Sequence, residues 1–204
     1  MTTDSTTTER MTTETMTTGP AVDYFEIIHR HLPPDSPAYR FYLPHVVMVT
    51  AEALAVARRL GLDENQLQFI EEAGMLHDIG VVAVLGDQPG LSWRLPYICH
   101  GHEGRKILEA EGLPRHALVA ERHTGVGITA EQIRQRRLPL PERDLVPDSI
   151  EEKIISYADL FFSKSPAKLW RRETVDEIRD ELAEFGADQV KVFEDWHKQF
   201  GEGE

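Results

Sequence analysis

The chain has 204 residues, 41% hydrophobic and 28% charged, the composition of one ordinary globular domain rather than of two full domains or a disordered chain. Its 22 Lys and Arg against 35 Asp and Glu leave a formal charge of -13, which repels a polyanion and argues against extended nucleic acid as a partner. No apolar run approaches the roughly 20 residues of a membrane helix and no charged-then-apolar signal opens the chain, so a cytoplasmic protein without a membrane partner is expected.

Residues 1–20 hold ten threonines and no large apolar residue beyond scattered methionines, so a disordered tail is expected there. After Gly19-Pro20, the residues Val22, Phe25, Ile28 and Leu32 recur at helical spacing until Pro33-Pro34, and a single domain is expected over about 21–200. Pro44 suits the first turn of a helix whose apolar positions Val47, Leu54, Val56 and Leu60 run to Gly61, which puts His45 in that first turn. Asp63 can cap a second helix through Leu67, Ile70 and Met75 that carries His77-Asp78 in its last turn before Gly80, the two forming a helical hairpin. Gly86 to Pro96 reads as a loop, with at most a minor β-hairpin around Val81 to Leu85.

His100 to Glu111 reads as a third helix closed by Gly112, and Pro114 opens a short helix ending near His123. Thr129 with Gln132, Ser149 with Glu152 and Thr174 with Glu177 match the capping-box spacing, and Pro139, Pro141 and Pro147 separate the first two. Arg134, Arg136, Arg137 and Arg143 cluster after His123 and read as an exposed helical face in preference to an anion site. Residues 171–204 hold five basic and eleven acidic residues and read as a solvated face, with Trp170, Phe193 and Trp196 packing into a core or interface. Period-two alternation is scarce, so the fold is expected to be all-α.

The strongest chemical signal is an order of residues, His45, His77-Asp78, His100, His123 and Asp159, at or near helix ends. The only cysteine, Cys99, cannot build a thiolate cluster and reads as core packing, so a metal must be held by imidazole and carboxylate. Six such ligands exceed one tetrahedral site and suit two borderline cations such as Mn, Fe, Zn or Co.

Leu76-His77-Asp78-Ile79-Gly80 resembles the HDIG signature of the HD superfamily of metal-dependent phosphohydrolases, and the upstream His45, the later His100 and His123 and the late Asp159 match its slots in order. The likeness covers roughly residues 40–165 and is similar to a small single-domain HDIG branch. In the family's third-ligand helix a glycine follows the His by four residues, as Gly104 follows His100, so the resemblance implies His100 as the ligand and leaves His102 outside the ligand set as a substrate-side residue. The resemblance implies a helical bundle with the metal site between helices, two divalent ions, Asp78 bridging them, and a metal-bound hydroxide that attacks a small phosphorylated substrate. Members that cleave cyclic dinucleotides carry a Lys after HDIG and a His-His-Glu and Gly-Tyr-Pro block. Here Val81 and Thr124-Gly125-Val126-Gly127 stand instead, which argues against that substrate and leaves Arg122 or Lys153 to hold phosphate. Two other readings use the same residues: a diiron oxygenase of the same fold, and a non-catalytic module that binds a nucleotide or protein, against which the six retained slots argue. Oligomeric state is not legible.

Overall fold

The structure, a computed structural model, describes residues 21–84, 95–165 and 167–201. The expected Thr-rich tail and most of the 86–96 loop lie outside the described residues. Those residues form α1 (Tyr24–His31), α2 (Tyr39–Arg59), α3 (Glu64–Leu76), α4 (His100–Ala110), α5 (Pro114–Arg122), α6 (Ala130–Arg136), α7 (Ile150–Asp159), α8 (Val175–Ala183) and α9 (Ala187–Phe200). Two 3₁₀ turns, Ile79–Ala83 and Tyr97–Cys99, complete the regular structure. Among the described residues, extended pairing is confined to the isolated bridges Ile128–Leu145 and Phe162–Arg172. The protein is all-α, and no helix among the described residues is long and apolar enough to cross a membrane.

Side-chain caps set most helix starts. Asp63, Thr129 and Thr174 each accept a hydrogen bond from the backbone N–H three residues on, and Gln66, Gln132 and Glu177 answer the cap residue's own N–H. Ser149 caps α7 by accepting from Glu152 N, but the reciprocal half is missing. Glu152 instead accepts from Asp148 N and from Arg122. The helix expected to open at Pro44 opens at Tyr39, so His45 lies in its second turn. Tyr42 explains the extra turn: it is buried and donates its hydroxyl to Met75 O at 2.7 Å, tying the start of α2 to the end of α3. Pro44 then costs only the hydrogen bond to the carbonyl of exposed Arg40. The stretch considered for a hairpin, Val81 onward, belongs to the 3₁₀ turn Ile79–Ala83, while Leu85 lies outside the described residues.

Helices α2 and α3 form the expected hairpin, with Gly74 so close to α2 that an added Cβ would meet Thr50 Oγ1 at 2.6 Å. Two apolar cores result. One gathers Val49, Val56 and Ile70 with Ile154, Tyr157, Phe161, Phe193 and Phe200, and the other gathers Ile28, Tyr42, Val46, Leu76, Ile79 and Leu108. Helices α2, α3 and α5 contribute to both. Phe193 and Trp196 are buried as expected, whereas Trp170 is 75% exposed. Burial of an aromatic such as Phe193 or Phe200 is worth roughly 1.5–3 kcal/mol, more than an exposed pair such as Arg179–Glu194. The acidic C-terminal segment is therefore fixed by its aromatic face, not by its charges.

Candidate metal centre

Six residues far apart in sequence converge between the helices. His45 comes from the second turn of α2, His77 is the C-terminal cap of α3, and Asp78 opens the 3₁₀ turn that follows. His100 is the first residue of α4, His123 caps the C-terminus of α5, and Asp159 ends α7. Close backbone packing makes the convergence possible. A Cβ on Gly80 would lie 2.0 Å from His100 O and 2.3 Å from Gly104 N, and one on Gly101 would lie 2.8 Å from Ala120 O. Gly80 was expected to end a helix, yet its backbone is not left-handed. It is the point where the 3₁₀ turn touches α4.

Three of the four histidines are held alike. His77 Nδ1 meets Gly74 O at 2.6 Å, His100 Nδ1 meets Tyr97 O at 2.7 Å, and His123 Nδ1 meets Ala120 O at 2.9 Å. A carbonyl can only accept, so each Nδ1 carries the proton, and in the neutral ring Nε2 is left as a lone pair aimed inward. At the inner side, His100 Nε2 and His123 Nε2 are 3.0 Å apart and lie 3.4 and 3.7 Å from Asp78 Oδ1. Asp78 Oδ2 lies 3.8 Å from His45 Nε2. Asp159 Oδ1 lies 3.0 Å from His45 Nε2 and 3.5 Å from His77 Nε2.

Apart from the His100–His123 pair, these contacts are close without being hydrogen bonds. Both nitrogens of His45, His77 Nε2, both oxygens of Asp78 and Asp159 Oδ1 are buried without a hydrogen-bond partner. Burying such groups unmet costs about 1–3 kcal/mol each, more where charged. Triads of donors, His45-His77-Asp78, His77-His123-Asp159 and Asp78-His100-His123, have their atoms within 4.8 Å of one another. Four imidazoles and two carboxylates in this arrangement fit a borderline divalent cation.

Electrostatics point the same way. Burial opposes ionisation of Asp78, but Lys164 and then His100, His77 and His45 outweigh it and hold the carboxyl at about 2. Asp159 lies well below the ordinary carboxylate range because Lys164, His45 and His77 overcome its burial. Burial pushes His45 and His100 down, and burial with His77 and His100 pushes His123 down to about 3. His77 alone is raised, Asp159 and Asp78 prevailing over burial. Ionised carboxylates and mostly neutral imidazoles are the states that ligation requires.

One member of the site gave no sequence signal. Lys164, five residues past Asp159 in the loop after α7, places Nζ 3.2 Å from Asp78 Oδ2 and 5.9 Å from the centre of the Tyr97 ring. The expected substrate-side residues lie elsewhere. Arg122 Nη1 donates to Glu152 at 3.0 Å, bridging α5 and α7. Lys153 lines a groove with Val126, Gly127, Arg136 and Trp196 that includes none of the six clustered residues. His102 Nδ1 lies 3.2 Å from Glu121 Oε1. Three of the four clustered arginines are spent on structure, Arg134 on Glu142, Arg136 on Phe185 O and Arg143 on Glu121.

Glu121 is nearly fully buried and receives Arg105, His102 and Arg143 together. Burial raises its pKa, but Arg105, His102 and Arg143 prevail and leave it below the ordinary value of 4.5. A depressed carboxylate contributes stability that is complete above its unfolded pKa and is lost as pH falls through the folded one. Glu121→Gln is therefore expected to lose about 1–3 kcal/mol at pH 7, with the gap from the wild type narrowing below about pH 4.5. Urea unfolding at several pH values measures this, and a gap independent of pH would refute it.

A family model described as the HD domain matches residues 42–162, a span that holds all six clustered residues. The tRNA (cytidine(56)-2'-O)-methyltransferase of Thermoplasma volcanium is 31% identical over 151 residues, covering 74% of this chain and 40% of that protein. An uncharacterised protein of Methanocaldococcus jannaschii is 37% identical over 110 residues, 53% of this chain and 57% of that one. The chain spans less than two thirds of the length of either relative. Among solved structures, the HD domain of the phosphodiesterase PgpH of L. monocytogenes aligns with 85% of this chain and 94% of its own, at 15% identity and a TM-score of 0.49. The chain belongs to the HD-domain family.

Proposed function

We propose that this centre binds two divalent cations and hydrolyses a phosphoester bond in a small phosphorylated metabolite such as a nucleotide. The observation that carries the reading is the buried set of donor atoms on His45, His77, Asp78 and Asp159 that have no hydrogen-bond partner, which a cation would satisfy together. His45, His77, Asp78, His100, His123 and Asp159 would hold the ions. When bound, they supply Lewis acidity at the phosphoryl group and lower the pKa of coordinated water towards about 7.

The chain's own residues prepare this chemistry. Asp78 faces both halves of the cluster, Oδ1 towards His100 and His123 and Oδ2 towards His45, so it is the residue two cations would share. The carbonyls of Gly74, Tyr97 and Ala120 keep three imidazoles oriented. Full burial of His45, His77 and Asp78 keeps bulk water from these donors.

The test is metal analysis of untagged protein together with hydrolysis of p-nitrophenyl phosphate and bis(p-nitrophenyl) phosphate. About two ions per chain are expected, with activity lost on chelation and restored by Mn, Zn or Co. Protein that neither retains nor takes up metal would overturn the proposal, and iron with oxygen consumption but no hydrolysis would assign the centre to oxidative chemistry.

A further inference from the structure

Among the described residues, Lys164 is the one lysine or arginine paired with a member of the cluster. Its side chain is 20% exposed, while His45, His77 and Asp78 are fully enclosed and His100 is 3% exposed. It therefore reaches the centre from the solvent side. The loop that carries it is fixed at its ends by the Phe162–Arg172 bridge and by Glu173 N donating to Phe161 O. Arg172 tightens this closure, lying 3.9 Å over the Phe161 ring and 2.9 Å from Glu52. The ammonium rests on Asp78 Oδ2, an oxygen that otherwise has no hydrogen-bond partner.

That resting contact conflicts with cation binding. An ion held by Asp78 would share its oxygen with an ammonium about 3 Å away and repel it. A lysine head on a flexible four-carbon stem can retreat towards the opening, but there it needs a new anionic partner. A phosphoryl group entering from solvent supplies one.

We propose that Lys164 is a substrate-binding residue that clamps a phosphoryl oxygen, moving from Asp78 to the substrate when the centre is loaded. Tyr97 lies beside Lys164, 47% exposed, with its ring tilted against His100 at a centroid distance of 4.6 Å. The proposal rests on the reading of the cluster as a metal centre.

The experiment compares wild type, Lys164→Met and Lys164→Arg, each loaded with Mn, measuring metal per chain and the affinity for inorganic phosphate by calorimetry. A charged hydrogen bond is worth enough that Lys164→Met should bind phosphate at least about ten-fold more weakly, with metal content unchanged. Lys164→Arg should recover most of the loss. Equal phosphate affinity in wild type and Lys164→Met, both metal-loaded, would overturn the clamp and leave Lys164 a counter-ion of Asp78. Loss of metal in Lys164→Met, or metal-loaded wild type that takes up no phosphate, would overturn it too. Wild type that binds no metal would instead sink the metal-centre reading, a distinguishable failure.

Discussion

Asp78→Asn is expected to strip the centre of metal and lower phosphoester hydrolysis by about a thousand-fold or more, a few kcal/mol of lost charge stabilisation. Asparagine keeps the volume but gives up the charge that two sets of histidines face. It also leaves the Lys164 ammonium without its carboxylate. Asp159→Asn should cost less, because Asp159 turns a single oxygen, Oδ1, to His45 and His77 and is 13% exposed. Metal analysis and turnover of p-nitrophenyl phosphate on the two variants give the ranking. Wild-type metal content in Asp78→Asn would remove Asp78 from the ligand set.

Among the described glycines, Gly80→Ala should be the most damaging addition of a single methyl group. The added carbon would meet His100 O, Gly104 N and Gly104 Cα at 2.0, 2.3 and 2.8 Å, all backbone, so no side chain can turn away. Overpacking typically costs 1–3 kcal/mol and occasionally more, and here the upper end, about 3 kcal/mol, is expected. For a chain of this size that corresponds to roughly 6–12 °C in Tm. Relief requires α4 to move, and His100 moves with it, so metal affinity should fall as well. Gly112→Ala is the control: its φ is +78° but nothing lies within 4 Å of an added Cβ, which leaves only backbone strain of about 1–2 kcal/mol. Thermal unfolding of both variants decides, and equal Tm values would show that the turn and α4 are not in close contact.

Comparison of Gly80 with its expected role shows what a linear sequence conveys. Helix ends governed by local chemistry were legible, as at Asp63, Thr129 and Thr174, whose caps lie within three residues of their partners. So was the order of the six clustered residues, because the HDIG run and the spaced histidines form a recognisable pattern. Features set by distant contacts were not. The early start of α2 depends on Tyr42 reaching Met75, and Gly80 is required by α4, twenty residues further on. Ser149 and Glu152 matched a capping box until Arg122 took the carboxylate. Lys164 had no periodicity, no partner nearby and no motif. Only the fold, by closing the loop after α7, puts it against Asp78. Arg122 and Lys153 follow from the missing Lys after HDIG alone, and a position in the sequence does not fix the direction in which a helical side chain points.

The four imidazoles are not equivalent. Those of His77, His100 and His123 are indexed to backbone carbonyls, whereas both nitrogens of His45 lack a partner. A ring anchored by a carbonyl resists rotation, while an unanchored one follows whatever sits before it. A pocket with three stiff donors and one compliant donor adjusts to guests of different ionic radius. Such a pocket discriminates poorly by size, so relative abundance and ligand softness would decide which metal occupies it in a living cell.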